Sequence, residues 1–260
     1  MPPAADLRRI LHGIGLAVGL AATLPAAALA HFQELIPSED VVSEDSRMVR
    51  LEMTFTHPME RGPVMEMGTP VRFGVLSRGK REDLKDRLQK RSLAGKTAFE
   101  ATYDFKVPGD YVFFLEPAPY WEPAERKWII HYTKVVVDFG AGRGWDKLVG
   151  LPVEIEPRVR PYGLWTGNSF SGVVRRHGKP VPHAAVEVEW RNDGSVRPPT
   201  FATQVIKADE RGVFSYTMPR AGWWGFAALV DGDRHMKGPD GKSAPVELGG
   251  VIWVKTMDMK

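Results

Sequence analysis

The sequence predicts an all-β protein made of two β-sandwich, immunoglobulin-like domains in tandem. Three observations lead there. Apolar and polar residues alternate with period two along much of the chain, while helical periodicity is scarce. Short strand-like runs recur at regular spacing in the second half, with turn residues between them. A Pro/Gly-rich stretch over residues 150–167 separates two halves of different texture.

In chain order, residues 1–30 read as a cleaved export signal. Arg8 and Arg9 form a positive start, and Ile10 to Leu24 is an apolar run too short and glycine-interrupted for a stable membrane span. Pro25 ends it, and Ala28-Leu29-Ala30 has the small-x-small pattern that a signal peptidase reads. The competing reading is an uncleaved N-terminal anchor. Cleavage would start the mature chain at His31. It would take away two of the 35 basic and one of the 32 acidic residues, leaving a net charge of +2. So small a charge gives no argument for nucleic acid or anionic lipid as partner. No later apolar run could span a bilayer. Cysteine is absent, which excludes a disulfide framework and a thiolate site, and with the leader it points to a bacterial periplasm.

The first domain is expected over residues 31–157. Val49, Leu51, Met53 and Phe55 share one strand face, with Arg50, Glu52, Thr54 and Thr56 opposite. Further strands are expected over Pro70–Leu76, Ala98–Val107, Tyr111–Glu116 and Trp128–Phe139. Lys80–Gln89 is the one plausible helix of this half, its Leu84 and Leu88 four apart. The second domain, residues 158–260, is expected to hold strands over Asn168–Arg175, Ala184–Trp190, Phe201–Lys207, Val213–Met218, Gly225–Val230 and Val251–Thr256. Asp209-Glu210-Arg211-Gly212 is a hairpin connection in which glycine can take positive φ. Ser171-Gly172-Val173-Val174, Gly178 to Val186, Asp209-x-x-Gly212-x-Phe214 and Ala221-Gly222-Trp223 make this half similar to the carboxypeptidase-regulatory or collagen-adhesin B-type β-sandwich. That resemblance speaks to fold and says little about chemistry.

Without cysteine, a transition-metal site must use histidine, carboxylate, methionine or the terminal amine. As a first residue, His31 would offer an α-amine and an imidazole that close a six-membered chelate on one ion, a donor pair suited to nickel(II) or copper(II). The amine must lose a proton to bind, so affinity should weaken with falling pH. His57 ends the first alternating strand, and Pro58 stops that strand, which leaves the imidazole at the rim of an apolar face. A hydrogen-bonded core histidine is the ordinary alternative there. His131 lies in a run whose alternation does not settle which face is buried, so a cross-strand partner and a metal are both open. His177 precedes Gly178, His183 follows Pro182 and His235 lies in the Gly/Asp-rich loop from Asp231 to Gly241, and all three read as solvated. Glu66, in Met65-Glu66-Met67, is a weaker donor candidate, and the methionines are ordinary core fillers. Tyr120 and Trp121, in Glu116-Pro117-Ala118-Pro119-Tyr120-Trp121-Glu122-Pro123, form a stiff aromatic loop that could shield a site or face a partner.

His31-Phe32-Gln33, Phe55-Thr56-His57-Pro58-Met59-Glu60, the Glu116–Pro123 motif, Ile129-Ile130-His131-Tyr132-Thr133-Lys134 and Gly163-Leu164-Trp165-Thr166-Gly167-Asn168 occur in this order. Together they make the chain resemble the periplasmic component (NikK type) that accompanies energy-coupling-factor nickel/cobalt transporters. That group belongs to a broader domain family of unknown function. The resemblance implies a non-enzymatic protein that binds Ni2+ or Co2+ outside the cytoplasm and delivers it to a membrane permease, with His31, His57 and His131 as ligands. Two alternatives stand beside it. One is a copper-dependent oxidative enzyme with an N-terminal histidine brace, for which the sequence offers no disulfides and no flat aromatic tract. The other is a metal-free structural or adhesion module.

Overall fold

The computed structural model describes residues 31–140 and 142–259. The expected leader, residues 1–30, lies outside the described residues. The first half supplies β1 (Phe32–Pro37), β2 (Met48–Thr56), β3 (Arg72–Ser77), β4 (Lys80–Asp83), β5 (Gln89–Leu93), β6 (Lys96–Asp104), β7 (Gly109–Glu116), β8 (Tyr120–Glu122) and β9 (Lys127–Phe139). The second supplies β10 (Val153–Pro157), β11 (Leu164–Trp165), β12 (Ser169–Arg176), β13 (Lys179–Pro180), β14 (Ala185–Trp190), β15 (Gln204–Lys207), β16 (Val213–Thr217), β17 (Gly222–Asp231), β18 (Met236–Lys237), β19 (Ser243–Ala244) and β20 (Val246–Met257). The fold is all-β and sandwich-built, as the alternation predicts.

One long sheet, ordered β15-β14-β17-β20-β9-β7-β3-β4, runs through both halves, joined where β20 lies parallel to β9. The sheet β1-β2-β6-β5 packs over a first core that holds Phe32, Leu51, Phe73, Phe113, Val135 and Trp253. The sheet of β10, β12, β13 and β16 packs over a second core that holds Phe170, Val186, Phe214, Phe226 and Ile252. Because side chains alternate across a strand, β17 and β20 serve both cores. Ala227 and Trp253 point into the first, and Phe226 and Ile252 into the second. β10 (Val153–Pro157), which lies inside the first domain as the sequence bounds it (31–157), pairs with β12.

The alternation in β2 holds where one face is wet: Val49, Leu51 and Met53 are fully buried, and Arg50 is exposed. Nearer its end, Thr54 and Thr56 are buried as well. The expected helix over Lys80–Gln89 is not formed. Lys80–Asp83 is a strand, Lys85–Arg87 a single 3₁₀ turn, and a second strand begins at Gln89. The reason is the hairpin before it. Arg78 (φ 52°) and Gly79 (φ 75°) both take the left-handed region, the turn that returns β4 onto β3 in register. Leu84 then plugs the first core and half-buried Leu88 packs against it, both placed by one 3₁₀ turn and the strand after it and needing no helical stripe.

Candidate metal centre

Strand register brings two of the three expected histidines together. The β1–β2 ladder pairs Phe32 with Thr56, so His31 and His57 flank it as the next opposed pair. Their ring centroids are 4.5 Å apart, and His57 is buried. His131 comes from β9, across the first core, on the same parity as Ile129, Val135 and Val137, which also face that core. Phe55 stands among them. Its ring lies 5.6 Å from His31, 6.0 Å edge-on to His131 and 5.0 Å from Tyr120.

Burial sets the electrostatics. His31 is lowered to about 4, first by loss of solvent and then by the neighbouring His57. Glu122 opposes this, and His131 adds to it more weakly. His31 is therefore a neutral imidazole at physiological pH, the form in which histidine donates to a metal. Its Nε2 lies 2.8 Å from Glu122 Oε2, and the other carboxylate oxygen accepts the Ala124 N–H at 2.9 Å.

His131 is the anomaly. Only 2% of it is exposed, and among the described residues neither of its ring nitrogens has a hydrogen-bond partner. Glu247 Oε1 is 3.8 Å from Nε2, beyond hydrogen-bond length. A buried polar group left this way costs about 1–3 kcal/mol and calls for an explanation. His131 lines a cavity of about 20 Å³, enough for one water-sized species, with Gln33, Phe55, Glu66, Met67 and Tyr120. On that lining, His131 is the one imidazole and Glu66 the one carboxylate among the described residues. Among the described residues, however, no three His, Asp or Glu side chains already stand together as a ligand set.

Glu66 reaches the same cavity, but its carboxylate accepts the Thr97 N–H at 2.9 Å, and hydrogen bonding from Thr97, its side chain first and then its backbone, holds the Glu66 pKa below the usual range. Met65 and Met67 are buried in the first core. Tyr120 and Trp121 belong to the short strand β8 and not to a loop: they pair with Ile129 and Trp128 of β9. Tyr120 faces His31 at 5.9 Å, while Trp121 packs edge-on against Trp128 at 5.4 Å.

Two residues that shape the site escape sequence reading. Glu122 sits inside the aromatic motif, and only folding shows that it meets His31. Gly249 pairs with His131 in the β20–β9 ladder, and a Cβ there would come within 2.3 Å of the ring. The Gly249-Gly250 doublet within a strand is a signal of close approach that could have pointed to it.

The chain belongs to the family described as Domain of unknown function (DUF4198), which matches residues 28–232. No curated protein matches it. Among solved structures, it is similar to the D0-D1 domain of intimin at 14% identity, covering 87% of this chain and 100% of that one, with a TM-score of 0.26. It is also similar to a two-domain fibronectin type-III segment of chicken tenascin at 14% identity, covering 87% and 100%, with a TM-score of 0.24. Tandem immunoglobulin domains of titin match at 10% identity, covering 88% and 97%, with a TM-score of 0.22. Likeness at this level bears on neither activity nor ligand. Among the described residues, no helix is long and apolar enough to cross a membrane.

Proposed function

We propose that this protein is a non-enzymatic carrier of a divalent transition metal, nickel or cobalt, that works in the periplasm and hands the ion to a membrane permease of the energy-coupling-factor type. The observation that supports this reading is His131, a buried imidazole with neither nitrogen hydrogen-bonded among the described residues and only the Glu247 carboxylate 3.8 Å from Nε2, on the wall of a water-sized cavity near the His31–His57 pair. Neutral nitrogen donors suit nickel and cobalt, and they bring no charge into the core that would hinder release. Export and cleavage at His31 would complete the set by freeing its α-amine. In the precursor that nitrogen is locked in a peptide bond, so the unprocessed chain should bind metal poorly.

The test is nickel calorimetry on protein that begins at His31, against the same protein with one alanine added before it. The addition keeps every side chain and moves the amine out of the chelate. A loss of tenfold or more in affinity supports the mechanism, and equal affinities rule out the N-terminal chelate. A metal-free structural module is the second reading, favoured by the lack of a ready-made three-residue ligand set among the described residues. That reading requires neither protein to bind nickel or cobalt.

A further inference from the structure

Resting on the carrier reading above, we propose that Glu247 is a further metal ligand, a rim carboxylate that shares the ion with His131. Strand β20 supplies both the carboxylate and the space for the ring. Glu247 and Gly249 are two residues apart on β20, so they lie on one face of the long sheet, and Gly249 is the ladder partner of His131. A Cβ on Gly249 would collide with the Cδ2–Nε2 edge of the imidazole, so that edge lies on the bare backbone of β20. This sets Nε2 beside Glu247, whose Oε1 is 3.8 Å away.

The two oxygens of Glu247 do different things. Oε2 accepts from the Lys127 ammonium at 2.6 Å, an ion pair that fixes the direction of the carboxylate. Oε1 is left facing an imidazole nitrogen that is buried and has no hydrogen-bond partner among the described residues. Their separation is too long for a hydrogen bond. It is close to the spacing of two donors on one ion. Nitrogen and oxygen donors about 2.1 Å from a tetrahedral ion, as at zinc, stand ~3.4 Å apart, so a small side-chain shift would close the gap. Imidazole nitrogen and carboxylate oxygen are both donors that nickel and cobalt accept. Exposure differs between the two in the way an exchange path requires: the His131 side chain is 2% exposed and that of Glu247 18%. An ion arriving from solvent meets Glu247 first, and Lys127 remains beside the carboxylate to balance its charge when the ion leaves.

The experiment is calorimetry with nickel chloride on protein beginning at His31, as wild type and as Glu247→Gln, Glu247→Asp, His131→Ala and Glu125→Gln. Glu125 is the control. Its Oε2 also lies 2.6 Å from Lys127 Nζ, so its loss removes the same charge beside the same lysine. Both Glu247 variants should bind nickel at least about tenfold more weakly, a loss no smaller than that of a group that merely orients a ligand. Glu247→Asp keeps the charge and withdraws the oxygen by one methylene, so weaker binding there separates ligation from electrostatic attraction. In a His131→Ala background Glu247→Gln should cost much less, since the two groups act on one ion. Glu125→Gln should stay within about twofold of wild type, as expected of a screened charge. Wild-type affinity in a Glu247→Asp or Glu247→Gln protein that keeps the wild-type circular dichroism overturns the proposal. So do fully additive costs of Glu247→Gln and His131→Ala, and so does an equal loss in Glu125→Gln and Glu247→Gln, which would assign the effect to charge alone. Failure of the wild type itself to bind nickel overturns the carrier reading, and the role of Glu247 with it. Nickel binding that ignores Glu247 overturns only the latter.

Discussion

Gly249 and His131 face each other across the parallel β20–β9 ladder, and the histidine ring occupies the space that a side chain on the glycine would need. A Cβ at Gly249 would lie 2.3 Å from His131 Cδ2 and 2.8 Å from Nε2. Because the ring is buried in the first core, it has little room to swing aside. Gly249→Ala should therefore destabilise the protein by about 1–3 kcal/mol through overpacking. On the carrier reading it should also weaken nickel binding. Urea unfolding of the single and double variants decides the cause. If the clash is with the ring, the cost of Gly249→Ala disappears in a His131→Ala background.

His131 itself makes an opposite prediction. Since neither ring nitrogen is hydrogen-bonded, His131→Leu removes a desolvated polar group and replaces it with apolar volume. The metal-free variant should be about 1 kcal/mol more stable than wild type in chelator-treated urea melts, and its stability should no longer rise with added nickel. A less stable Leu variant would mean that the imidazole has a partner in solution.

Lys134 lies three residues further along β9 with the other parity, and it meets Glu154 of β10 at 2.7 Å, both fully buried. Glu154 also accepts the N–H groups of Val149, Gly150 and Leu151, which ties the segment entering β10 to the long sheet. Lys134→Met leaves that carboxylate without its cation and should cost about 3–5 kcal/mol. The measurement is the denaturation midpoint at neutral pH. A shift within error would show that the three N–H groups satisfy Glu154 alone.

Stability should also depend on pH through Glu189. Burial pushes its carboxyl up to about 7, although the Met59 N–H and the Thr203 hydroxyl both donate to it. Glu187 is likewise raised to about 7, by burial and by Glu247. A carboxyl raised on folding holds its proton more tightly in the folded state. Its contribution is complete below the unfolded value of 4.5 and is lost as pH rises through about 7. Unfolding free energy should thus fall over that window, by up to about 3 kcal/mol per carboxyl. Glu189→Gln should flatten the profile in urea titrations at stepped pH. An unchanged slope would assign the dependence elsewhere.

Residue pattern alone reaches the all-β class, and it places strands wherever one face is wet, as in Val49–Met53. It misses β1, because all six residues of Phe32–Pro37 are buried and nothing alternates. For the same reason it leaves the facing of His131 open, since β9 lies between cores on both sides. The helix expected at Lys80–Gln89 yields to the Arg78-Gly79 turn, whose backbone geometry outweighs the spacing of two leucines.

The chemistry divides along the same line. Composition alone excludes thiolate ligands and narrows any transition-metal donor set to histidine, carboxylate, methionine and amine, because ligand type is a property of residues. Which of them meet is a property of register and packing. The β1–β2 ladder sets His31 beside His57, the first core turns His131 inward, and β8 carries Glu122 to His31. Those contacts join residues as far as 91 positions apart, from His31 to Glu122, and no local periodicity encodes a pairing over that distance.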